Sequence, residues 1–210
     1  MKIKLGDLIV NYDRKRVPLS SRERAAKQGV YPYYGATSIM DYVDDYLFDG
    51  KYILLGEDGT VIDKNGKPVL QIAEGKFWCN NHAHIIQNTE LVTFDYLYYL
   101  LKNTNVNSIV TGAVQPKISQ SNLNNLEVEF HPNKEEQRRI AAVLYSIDEK
   151  IKCNIGINNN LPPHLCVAQI AAKQRRQTPQ TDECLHTDGK VSVRGDNEET
   201  AEQFSSLLAA

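Results

Sequence analysis

The chain has 210 residues, 41% of them hydrophobic and 24% charged, the composition of one ordinary globular domain with room for an appendage. A formal net charge of −2 excludes a protein that grips nucleic acid through bulk basicity, and no apolar run reaches the roughly 18 residues that a membrane-spanning helix needs. The opening Met1-Lys2-Ile3-Lys4-Leu5-Gly6-Asp7 lacks the apolar core of a secretory signal, and Cys79, Cys153, Cys166 and Cys184 form no CxxC pair. Free thiols in a reducing cytoplasm are therefore expected, with no disulfide frame and no zinc knuckle.

Residues 1–161 carry 19 Lys+Arg and 19 Asp+Glu, so nucleic-acid binding there would need local basic patches. One candidate is Arg14-Lys15-Arg16 followed by Arg22, Arg24 and Lys27; a solvated loop would look the same. Tyr31-Pro32-Tyr33-Tyr34-Gly35-Ala36-Thr37 sets stiff aromatics beside a glycine that permits close backbone approach. Tyr52-Ile53-Leu54-Leu55 predicts a strand ending at the turn Gly56-Glu57-Asp58-Gly59. Val69-Leu70-Gln71-Ile72, Ala83 to Gln87 and the alternating Leu126-Glu127-Val128-Glu129-Phe130 predict further strands. Between them Phe94, Leu97, Tyr98 and Leu101 recur at helical spacing behind Thr93 as N-cap. Residues 1–131 thus predict a loop-rich α+β domain with a mixed β-sheet.

From Pro132 the pattern changes. Asn133 can cap a helix whose first turn holds Glu135 and Glu136, where the helix dipole favours them. Ile140, Leu144, Ile147 and Ile151 then fall at spacings of four, three and four, a heptad seam that continues to Asn154, Asn158 and Leu161. Residues 132–161 are expected to form a long coiled-coil-forming helix, the alternative being a helix packed on its own domain. Residues 162–210 begin with the helix breaker Pro162-Pro163 and hold one aromatic, Phe204, so a disordered or weakly helical tail is expected.

Signs of catalysis are sparse. No GxxxxGK[ST] loop is present, and Asn160-Leu161-Pro162-Pro163-His164 departs from an amino-methyltransferase signature by its leucine and its missing aromatic. His82-Ala83-His84 is the strongest candidate for metal or acid–base chemistry. On a strand both rings would face one side, with Glu57 and Asp58 as further ligands, giving a metal-dependent nuclease. Hydrogen-bonding core histidines or DNA contacts are the alternatives. Thr111-Gly112-Ala113-Val114-Gln115-Pro116-Lys117-Ile118-Ser119-Gln120 offers amide, hydroxyl and ammonium groups in one flexible loop; Gln can pair with adenine and Lys with guanine or phosphate.

Taken in order, Tyr31–Thr37, Phe48-Asp49-Gly50-Lys51-Tyr52, Leu55–Gly59, Asn80-Asn81-His82-Ala83-His84 and Thr111–Ser119 resemble the target-recognition domain of type I restriction–modification specificity subunits. Glu135-Glu136-Gln137-Arg138-Arg139-Ile140-Ala141 through Ile151 resembles the opening of that family's spacer helix. The resemblance covers residues 1–161. It implies a subunit with no active site and no cofactor that reads half of a split site in double-stranded DNA. It also implies a helix that pairs with a second such helix, and a scaffold for methyltransferase and restriction/translocase subunits. Family members usually carry two recognition domains and two helices in one chain. One of each here implies a half-subunit or truncated form, dimerising through Ile140, Leu144, Ile147 and Ile151. The DNA contacts expected on this basis are Tyr33, Lys51, His82, Thr111, Gln115, Lys117 and Ser119, with Arg14 and Arg16 on phosphates. Two other readings remain: the His82–His84 nuclease, and a truncated module that occupies a methyltransferase without reading DNA.

Overall fold

The computed structural model describes residues 1–112 and 114–161. Short strands β1 (Lys2–Lys4) and β2 (Ile9–Asn11) are followed by helix α1 (Ser21–Ala26) and strands β3 (Gln28–Tyr34), β4 (Ile39–Val43), β5 (Phe48–Gly56), β6 (Leu70–Cys79) and β7 (Ala83–Asn88). Next come α2 (Phe94–Asn103), the small hairpin β8 (Val110–Thr111) and β9 (Lys117–Ile118), α3 (Gln120–Asn125), β10 (Glu127–Glu129) and α4 (Lys134–Asn160). The main sheet has the order β2-β7-β5-β6-β3-β4. Only the β3–β6 pair among its neighbours is parallel, so the sheet is mixed, as expected.

Strand β5 explains why its sequence reads as an unbroken apolar run. It lies between β7 and β6 and is covered on both faces, so its alternating side chains feed two cores. Ile53 and Leu55 point into one, shared with Leu97 and Leu101 of α2, Leu123 of α3, Val128 of β10 and Ala141 of α4. Tyr52 and Leu54 point into the other, with Phe48, Phe77, Cys79 and Ile85. Gly50 and Gly75 oppose each other across the β5–β6 ladder, with φ of 136° and 78°. Only glycine adopts such angles without strain, and the matched pair lets both strands bend together.

Helix α2 begins where the spacing placed it, but the Thr93 side chain makes no capping bond; its backbone N–H donates instead to Gln137 Oε1 at 2.8 Å. Helix α1 has a capping box, Ser20 with Glu23, that the sequence reading passed over. Asn133 caps α4 as expected, its Oδ1 accepting from the N–H groups of Glu135 and Glu136.

Met1–Ile157 form one compact unit, which runs past the division expected at residue 131. Gln137 and Ala141 are buried and Leu144 packs against the first core, so the start of α4 belongs to the same packed unit. Leu144, expected on the dimer seam, is half-buried against its own domain. Ile140, Ile147 and Ile151 remain exposed, joined by Val143. At about 100° per residue these four lie on one stripe, which flanks the Gln137–Ala141–Leu144 stripe. The tail expected to be disordered or weakly helical lies outside the described residues.

Candidate nucleic-acid interface

Two turns and one hairpin bring several of the expected contacts together. Glu57 N–H donates to the His82 carbonyl, Gly59 N–H to the Pro116 carbonyl and Ile118 N–H to the Glu57 carbonyl, at 2.8–3.0 Å. These bonds tie the Gly56–Gly59 turn to the Asn80–His82 turn on one side and to the β8–β9 hairpin on the other. Gly112 turns that hairpin with φ +89°; a Cβ there would collide with the Gln115 carbonyl. Thr111 Oγ1 donates to the Lys117 carbonyl at 3.2 Å, closing its base.

The loop ends rest on a part-buried charge cluster. Arg16 Nη1 lies 2.6 Å from Glu57 Oε2 and also donates to the carbonyls of Ala83 and Asn81, while its Nε donates to the Asp13 carbonyl. His84 is 1% exposed; its Nδ1 lies 2.6 Å from Asp13 Oδ2 and its Nε2 2.8 Å from the Ile118 carbonyl. Each ring nitrogen thus faces an oxygen acceptor. Burial alone would raise the Asp13 carboxyl. The hydrogen bond and charge of His84, the Ile85 N–H and Arg16 outweigh burial and hold it below its usual value. Burial likewise opposes Arg16, His84 and Lys117 at Glu57, and the cations prevail there too. At nearby Cys79 burial dominates, Arg16 opposing it and Asp13 adding to it, and the thiol is pushed up to about 12.

Asp13, Glu57 and His84 each place one potential ligand atom within 4.8 Å of the others. The Arg16 guanidinium already sits among these carboxylates and balances their charge, which disfavours a further cation.

His82 and His84 do not share a face. His82 lies in the turn before β7, half-exposed, with Nδ1 2.6 Å from Asp58 Oδ1, whereas His84 lies inside the cluster. The paired-histidine site thus dissolves, because the strand alternation begins one residue too late. Lys117 is exposed, with Nζ 3.2 Å from Glu57 Oε1; Thr111 and Gln115 are exposed beside it, and Arg14 is exposed near Arg16.

The other expected contacts have different roles. Tyr33 is 1% exposed, packs with Val43 and Trp78, and its hydroxyl accepts from Leu19 N–H at 2.9 Å; it is a core residue. Arg16 is spent within the cluster and is not free for phosphate. Ser119 caps α3, its Oγ accepting from Asn122 N–H. Lys51 pairs with Asp95 and lies over the Phe94 ring at the start of α2. Asp13 holds His84 and Asp58 holds His82; in the sequence Asp58 carries only the signal of a possible metal ligand, and Asp13 carries none.

Comparison with known proteins decides the lineage. The family model for the type I restriction modification DNA specificity domain matches residues 1–162. The chain belongs to this family. One relative, S.HindORF215P of Haemophilus influenzae, described as a type I restriction enzyme specificity subunit, is 36% identical over 124 residues, 59% of this chain and 31% of its own length. The EcoprrI specificity subunit of Escherichia coli is 28% identical over 126 residues, 60% of this chain and 30% of its own. The specificity-domain chain thus spans less than a third of these relatives. Among solved structures, the type I restriction–modification S subunit from M. genitalium superposes with a TM-score of 0.60 at 22% identity, covering 77% of this chain and 43% of that one. A second, from work on complex assembly and conformational transition of the type I system, gives 0.56 at 15% identity, covering 84% and 43%. These likenesses support the α+β fold with its long C-terminal helix. Among the described residues, no helix is long and apolar enough to cross a membrane.

Proposed function

We propose that this chain is a non-catalytic DNA-specificity subunit that reads one half of an interrupted, bipartite site, and that two copies pair through α4 to read both halves. The observation that carries this reading is the convergence of the Asn80–His82 turn, the Gly56–Gly59 turn and the β8–β9 hairpin. Together they present exposed His82, Thr111, Gln115 and Lys117 from a rigid base. Flexible amide and ammonium groups on a preorganised support suit base edges in the major groove. Arg14 contributes a phosphate contact. Ile140, Val143, Ile147 and Ile151 supply an apolar stripe that a second α4 would cover, and a twofold pair would read an inverted repeat.

The neighbouring partners on this reading are methyltransferase subunits and restriction/translocase subunits in the cytoplasm, and the chain needs no cofactor of its own. Selection of binding sites from random double-stranded DNA by the purified chain tests it. Enrichment of one short sequence as an inverted repeat with a constant gap is expected. Retention of DNA without any sequence enrichment would favour a module that occupies its partner without reading. Cleavage by the chain alone with Mg²⁺ or Mn²⁺ would overturn the non-catalytic assignment.

A further inference from the structure

Gln137 is the one polar residue of α4 that is wholly buried among the described residues, and its amide is fully used. Oε1 accepts from Thr93 N–H at 2.8 Å; Nε2 donates to the Leu91 carbonyl at 3.1 Å and to the His131 carbonyl at 2.8 Å. Two segments thus meet on one side chain: the loop that leads into α2, at Leu91 and Thr93, and the linker that enters α4, at His131. One acceptor and two donors at that reach are what a glutamine offers. Glutamate would turn an acceptor toward two carbonyls, and methionine would fill the space while leaving all three backbone groups unpaired.

Three turns further along, the same face of α4 is held a second time. Asp148 accepts from Lys102 Nζ of α2 at 2.6 Å and interacts with the Tyr99 hydroxyl. The Lys102 hydrogen bond is the main cause that keeps the Asp148 carboxyl below its usual value. Gln137, Ala141, Leu144 and Asp148 form one stripe at helical spacing, and from Glu149 to Asn160 every residue is exposed. The helix is therefore gripped at two points and then projects freely.

We infer that Gln137, with Asp148 as its companion, is a positioning residue that sets the direction of α4 and so the gap between the two half-sites the pair would read. This rests on the bipartite-reader account above. The geometry makes the gap sensitive. From Gln137 to Ile157 the helix runs about 30 Å, so a tilt of about 6–7° at the clamp moves that end by about 3.4 Å, one base-pair step. A buried, fully paired amide resists such a tilt; an apolar replacement would not define one direction.

The test uses the full chain and duplexes carrying the selected half-sites as an inverted repeat, with the gap varied one base pair at a time. Wild type is expected to favour one gap over its neighbours by about tenfold, and Gln137→Met to flatten this to about threefold or less while keeping the same half-site sequence. Circular dichroism melts establish that each variant folds. If Gln137→Met does not, Asp148→Asn, which alters a partly exposed contact, carries the same comparison. A folded variant that keeps the wild-type gap preference would overturn the inference, as would a wild type that reads its half-sites at every gap alike. A wild type with no half-site preference at all would instead overturn the DNA-reading account, and this inference with it.

Discussion

Replacing Arg16 with alanine separates two roles for one residue. In the structure its guanidinium is enclosed by Glu57, Asp13 and the carbonyls of Ala83 and Asn81, so removal strands two poorly solvated carboxylates beside His84. Breaking a fully buried pair by deleting one partner costs about 3–5 kcal/mol, an upper bound for this part-buried one. For a chain of this size that lowers the melting temperature by up to roughly 6–20 °C. The pH dependence should move as well. The Asp13 and Glu57 carboxyls are held below their usual values, so their contribution is present above the ordinary carboxyl range and lost as pH falls through the lowered values. Without Arg16 both titrate at higher pH, and acid unfolding should begin at higher pH than in wild type. Thermal melts across a pH series read both effects. DNA binding measured by anisotropy against salt, at a temperature where the variant is folded, should keep the wild-type slope. A variant with unchanged melting whose salt slope falls by about 1 would refute the reasoning, because that is the signature of a lost phosphate contact.

Other residues sort the same way. Lys117→Ala and Gln115→Ala should each cost about 1–3 kcal/mol of specific binding with little effect on melting; wild-type affinity in both would misplace the reading loop. Tyr33→Phe leaves the Leu19 N–H without its acceptor and should cost about 1–3 kcal/mol of stability, with half-site preference unchanged; altered preference would return Tyr33 to the interface. Ile147→Asp should give a single-chain mass by light scattering with an unchanged melting temperature. Leu144→Ala should instead lower stability by about 1 kcal/mol, roughly half of what full burial of a leucine is worth. A dimer that survives Ile147→Asp would move the interface off α4.

Much of the scaffold was legible because its physics is local. Alternation in Leu126–Phe130, the 3.6 period after Thr93 and the asparagine before Glu135-Glu136 specify β10, α2 and the start of α4 without tertiary information. The errors arise where tertiary packing reassigns a residue. A 4-3-4 spacing identifies apolar helix positions but not which partner covers them, so Leu144 was placed on the seam that Val143 joins instead. Arg16 and Tyr33 look like binding residues by type; their burial depends on Asp13, Glu57, Leu19 and Trp78, all distant or weakly signalled in sequence. His82 and His84 were read as a pair because strand alternation was extended one residue beyond β7. Ordered loop motifs pointed to the family, but the part-buried network that supports those loops became visible only in three dimensions.

The most direct measurement is the methylome of cells expressing this chain with a compatible type I modification subunit. Methylation of one bipartite, palindromic sequence with a constant gap, absent when the chain is omitted and lost with Lys117→Ala and Gln115→Ala combined, is the predicted result. Methylation of a bipartite motif whose two halves differ would contradict pairing of two identical readers, and no change of methylation pattern would contradict the assignment of sequence reading to this chain.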